Sequence, residues 1–158
     1  MDYLNLKLLH VLSATFLFGT GVGSAFYLLF ASLSRDVRAI AVVTRGVVLA
    51  DWLFTLSTMV LQPATGLYLA HLANIPLESK WIAWSLALYG VALACWLPVL
   101  WLQVRMCRLA QLAARGSSIL PAALPVAYWR HLRIWFLLGW PALFAFLGIF
   151  YLMVAKPA

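Results

Sequence analysis

Four long stretches of the chain are apolar with few interruptions: residues 4–30, 47–72, 81–105 and 132–155. A helix crosses the roughly 30 Å hydrocarbon core of a bilayer with about 20 apolar residues, and each stretch meets that length. The two-residue alternation of barrel strands is absent, and lipid cannot satisfy the backbone groups of an open sheet. The pattern therefore predicts an all-α protein, a four-transmembrane-helix bundle forming one integral membrane domain over residues 1–158. The first stretch has Asp2 ahead of Lys7 and an apolar run longer than the core of a secretory signal, so it reads as a permanent span.

Composition agrees with that reading. Of 158 residues 66% are hydrophobic and only 9% charged, against about 25% charged in a soluble domain. The net charge of +7 is unevenly placed. Arg35, Arg38 and Arg45 follow the first span; Arg105, Arg108, Arg115, Arg130 and Arg133 follow the third; the other side holds Lys7, Lys80 and Lys156. The positive-inside rule then puts both termini on the outer, periplasmic side and the arginines in the cytoplasm. Arginines that hug membrane ends argue against a nucleic-acid surface, which needs a basic patch on a soluble fold.

Trp81, Trp84, Trp101, Trp129 and Trp135 lie near predicted span ends, as expected of interfacial anchors, whereas Trp96 and Trp140 lie deeper and are expected between helices. Cys95 and Cys107 have no metal-type spacing and, on the cytoplasmic half, invite no disulfide. The longest predicted connection, residues 106 to 131, contains "ARGSSILPAALP", whose glycine, serines and prolines should break a helix. No soluble catalytic module fits there, so chemistry must sit within the bundle or at its rim.

Depth ranks the candidates. At 1.5 Å per residue, His10 lies roughly 10 Å, Met153 roughly 15 Å and His71 roughly 18 Å from the membrane centre, all in the outer half. A histidine at the depth of His10 faces the bundle interior, marking a cofactor, a proton path or an interhelical hydrogen bond. Imidazole is a good axial ligand of haem iron and a second His or a Met completes the pair; without C-x-x-C-H any haem would be b-type. On a straight second helix Asp51, Thr55, Thr58, Gln62 and Thr65 share one stripe, which should face other helices, and His71 falls opposite unless Pro63 changes the phase. That stripe suits either a polar path or ordinary packing, and Asp51 is placed to pair with Arg133 or to remain a solvated helix-start carboxylate. The run "GTGVGS" lacks the strand and helix start of a phosphate loop. Its Gly19 and Gly23 form a G-x-x-x-G instead, for close approach of a helix of the same chain, of a second copy, or of a flat macrocycle.

The segments "YLNLKLLHVLSATFLFGTG", "ADWLFTLSTMVLQPATGLYLA", "WIAWSLALYGVALACWLPVLWLQVRM" and "WFLLGWPALFAFLGIFYLMVAKP" resemble a bacterial predicted integral membrane family of unknown function (DUF2269-like) along essentially the whole chain. That resemblance implies a bacterial inner-membrane protein. "LKLLH", "ATGLYL", "WIAWSLALY" and the fourth-helix proline before "KP" are similar, more distantly, to HemJ-type protoporphyrinogen oxidases and CopD-type copper-resistance membrane proteins. The HemJ resemblance implies haem b on His10. The chain departs from that pattern where Ser85 replaces a lysine and Trp96 a histidine, and where the acid before the fourth-helix proline is missing near Gly139 and Trp140.

The leading expectation is thus a self-associating bundle, a homo-oligomer in the lipid bilayer. It holds haem b through His10 and either His71 or Met153, with Lys7 neutralising a propionate, and acts on a membrane-soluble quinone or porphyrin-type substrate. The alternatives are a copper or small-solute transport component using the Asp51 to Gln62 track, and a non-catalytic partner subunit packing through Gly19 and Gly23.

Overall fold

The computed structural model describes residues 2–116 and 123–157. Four helices are long and apolar enough to cross a membrane: α1 (Tyr3–Ser34), α2 (Val37–Leu72), α3 (Lys80–Gly116) and α4 (Val126–Ala155). No strand occurs among the described residues. The helices outrun the apolar stretches chiefly at the arginine-bearing end, where α2 begins ten residues before residue 47 and α3 runs eleven past residue 105. At 1.5 Å per residue the 36-residue α2 is about 54 Å long, well beyond a bilayer's hydrocarbon. Arg38, Arg45, Arg105, Arg108 and Arg115 therefore ride on helix extensions and not in loops, because a helix continues wherever water or side chains satisfy its polar groups. The connection expected over residues 106 to 131 shrinks accordingly; part of "ARGSSILPAALP" lies outside the described residues.

Local chemistry sets the turns. Arg35 closes α1 in the left-handed conformation (φ 56°), its N–H donating to the Ser32 carbonyl. Asp36 then caps α2, its Oδ1 accepting from the N–H groups of Arg38 (2.9 Å) and Ala39 (3.3 Å), as an N-cap carboxylate does. Asn74, also left-handed (φ 52°), ends α2, and α4 stops at Lys156 (φ 41°) ahead of Pro157.

α2 carries a π-helical turn at Asp51–Thr55, with the Leu56 N–H reaching back to the Asp51 carbonyl. Such turns insert one residue into an α-helix and recur at functional sites. Before it, α2 packs on α3; after it, the Leu56–Leu72 segment packs chiefly on α1, while α3 packs on α4 along its length. The consequence is an uneven bundle. A dense core of Leu28, Ile40, Val47, Leu102, Met106, Tyr128 and Leu132 fills the basic end, pinned by a buried hydrogen bond of 2.9 Å between Ser32 Oγ and Tyr128 Oη. Toward the termini the α1/α2 and α3/α4 pairs stand apart around a cavity.

Two tryptophans differ from expectation. Trp135 is buried in the basic-end core and Trp140, 56% exposed, turns outward and stacks on Phe144. Pro141 follows directly and the α4 sequence is apolar on every side, so depth alone could not tell inward from outward faces.

Candidate functional site

The cavity between the two helix pairs has a volume of about 440 Å3, within the range of about 300–1,000 Å3 typical of small-molecule sites. α1 contributes Lys7 and His10, α2 contributes Gln62, Pro63 and Gly66, α3 contributes Trp81, Ser85 and Tyr89, and α4 contributes Phe150 and Met153, with Lys156 at its end. Lys7 and His10 thus line one space with Met153, distant from both in sequence. His71 does not line it: it is exposed on the last turn of α2, on the far side of the inward stripe, and Pro63 leaves that phase unchanged.

His10 is fixed from two directions. Its Nδ1 lies 2.7 Å from Thr65 Oγ1, and its carbonyl accepts from Gln62 Nε2 at 3.2 Å. Thr65 Oγ1 also donates to the Leu61 carbonyl at 2.6 Å. A hydroxyl has a single hydrogen: when Thr65 gives it to Leu61, Nδ1 carries the imidazole proton and Nε2 keeps its lone pair, and when Thr65 gives it to Nδ1 the imidazole proton sits on Nε2. Gly66 makes room for the ring: a Cβ there would stand 3.1 Å from His10 Cε1. This is the close approach that a glycine permits. At Gly19 and Gly23 an added Cβ would meet nothing within 4 Å, so among the described residues no helix packs into that G-x-x-x-G. The other tight glycine is Gly148, against Leu88 Cδ1 at 3.0 Å.

Tyr89, absent from the candidates that the sequence suggests, ties the cavity's two halves. Pro63 has no N–H, so the Met59 carbonyl four residues earlier loses its helical donor; the Tyr89 hydroxyl of α3 donates to that carbonyl. Ser85, one turn before Tyr89, occupies the position where the HemJ pattern has a lysine and donates to the Trp81 carbonyl at 2.6 Å. A polar residue one turn from Ser85, on a helix facing Pro63, was the available signal.

The inward stripe of α2 is present, with Asp51, Thr55, Thr58 and Thr65 buried and Gln62 partly so. Asp51, 6% exposed, does not meet Arg133. Its Oδ1 accepts from Thr55 Oγ1 and its Oδ2 from Gln103 Nε2, both at 2.7 Å, because α3 and not α4 faces this part of α2. Arg133 is exposed and lines a different cavity at the basic end. Thr58 bonds back to the Phe54 carbonyl at 2.6 Å, so the hydrogen bonds around Asp51 do not run on to Gln62. No group of three or more His, Cys, Asp or Glu side chains able to hold a metal ion exists among the described residues.

Long apolar helices around a ligand-sized cleft define a multi-pass integral membrane protein. Within that class the chain belongs to the family described as "Predicted integral membrane protein (DUF2269)", whose profile matches residues 4–157. No curated protein and no solved structure matches it.

Proposed function

We propose that the protein binds haem b in the cleft beside His10 and serves electron transfer, or the oxidation of a membrane-soluble quinol or porphyrinogen, in a bacterial inner membrane with both termini outside. The observation that carries this reading is the His10 ring. Thr65 holds it by Nδ1, and in the tautomer protonated there the Nε2 lone pair is left on the wall of an apolar cavity of about 440 Å3. The donor set fits the group: a neutral imidazole, the Met153 thioether lining the same cavity, and two cations, Lys7 and Lys156, near the helix ends where propionates would reach water. Bound haem would supply one-electron chemistry. The chain's own contribution is to orient the imidazole through Thr65, to exclude water with Leu17, Phe146 and Phe150, and to place cationic charge at one end.

Purification with added haem and a spectrum before and after dithionite test it. The expected result is stoichiometric haem with a reducible spectrum, lost in His10→Ala, weakened in Met153→Ala and retained in His71→Ala. Haem retained in full by His10→Ala would overturn the ligand assignment. Colourless protein carrying one copper ion would favour the transport reading, for which His10 and Met153 would be suitable ligands.

A further inference from the structure

At the basic end a second cavity, of about 520 Å3, opens between the α1–α2 turn and the start of α4. Arg35 and Arg133 line it together with Leu124, Trp129 and Leu132. Neither guanidinium has an ion-pair or hydrogen-bond partner among the described residues, and Asp36, next to Arg35, is engaged in capping α2. Both side chains are exposed, and two cations on one cavity wall give it a positive potential that favours an anion. The rest of the wall is apolar, with an indole of the kind that sits at headgroup level.

The backbone adds a second observation. Arg35 holds a left-handed conformation (φ 56°), as Asn74 and Lys156 do at their helix ends, which glycine adopts freely and a residue with a Cβ only at a cost. The chain places an arginine where local geometry favours glycine. The frame around it is rigid, since the Ser32–Tyr128 hydrogen bond joins the end of α1 to the start of α4 beside the cavity.

We propose that this cavity binds the phosphate headgroup of an anionic phospholipid, with Arg35 and Arg133 on the phosphate and Trp129 and Leu132 against the glycerol and upper acyl chain. Basic pockets between membrane helices are suited to such headgroups. The site is separate from the His10 cavity and does not depend on haem.

Thermal unfolding of the detergent-purified full chain tests this, with phosphatidylglycerol, phosphatidylcholine or inorganic phosphate added and native mass spectrometry counting retained lipid. Phosphatidylglycerol should raise the midpoint in proportion to its occupancy, and phosphatidylcholine and phosphate should not. Each of Arg35→Gln and Arg133→Gln should weaken the phosphatidylglycerol affinity about fivefold, and the pair about thirtyfold, while Arg108→Gln, outside the cavity, leaves it unchanged. Arg35→Gly separates binding from folding: it removes the backbone strain, so the lipid-free midpoint should not fall, yet the lipid-induced rise should shrink. Equal stabilisation by phosphatidylcholine, equal stabilisation by inorganic phosphate, or an undiminished phosphatidylglycerol effect in the double variant would each overturn the proposal.

Discussion

Tyr89→Phe isolates the tie between the two halves of the cleft. The substitution removes one oxygen and leaves the ring in place, so its cost is that of the Met59 carbonyl losing its donor. Interhelical hydrogen bonds in membrane bundles average about 0.6 kcal/mol and reach about 1.7; a carbonyl already deprived of its helical partner by Pro63 belongs toward the upper end, about 1–1.5 kcal/mol. A second background sharpens the test. Pro63→Ala restores an N–H four residues after Met59, giving the carbonyl a donor within α2. Tyr89→Phe should then cost only about 0–0.3 kcal/mol, so the double-mutant cycle yields a coupling of about 1 kcal/mol. Steric trapping or reversible denaturation in mixed micelles measures all four variants. An equal cost of Tyr89→Phe in both backgrounds would refute the assignment of Tyr89 as the replacement for the missing proline donor.

Three other outcomes are expected. Thr65→Val removes the partner of His10 Nδ1 without changing side-chain shape; it should cost about 0.6–1.7 kcal/mol of stability and weaken haem binding, read by unfolding and by haem titration. Gly66→Ala sets a Cβ 3.1 Å from His10 Cε1, so the usual gain of about 0.5–1 kcal/mol for replacing a helical glycine should vanish there and appear in Gly19→Ala, where the space is open; equal midpoints for the two would contradict the packing. Gln103→Leu leaves Oδ2 of the buried Asp51 without a donor and should destabilise by about 1–3 kcal/mol, and adding Asp51→Leu should recover part of that loss in the same denaturation assay.

The four spans were legible because hydrocarbon imposes a length and a composition that no side-chain detail can hide. Their basic ends were not, since an apolar window stops at the first arginine whereas α2 and α3 continue through Arg38, Arg45 and Arg105. The inward stripe of α2 was legible from spacing, and so was the outward phase of His71. Partnership was not. Asp51 carries a charge and so pointed to Arg133, but its donor is the neutral Gln103 of α3, which no pattern marks. Gly19 and Gly23 have the spacing of a packing motif, while the glycine that packs, Gly66, has Ala70 and not a second glycine at that interval and meets an imidazole instead of a helix backbone. Spacing identifies a face of a helix; what lies opposite it depends on which helix the chain brings there.

The extra residue in the Asp51–Thr55 turn has a reach far beyond its own hydrogen bond. Deleting one position there would return the turn to ordinary α geometry, swinging everything downstream through about 100° and drawing it back by about 1.5 Å. Gln62, Thr65 and Gly66 would leave the side of the helix that greets His10, while Asp51, upstream, would stay beside Gln103. A single codon in the middle of α2 therefore sets the azimuth of half the cleft, and natural variants that lose it should lose the imidazole's seat before they lose the fold.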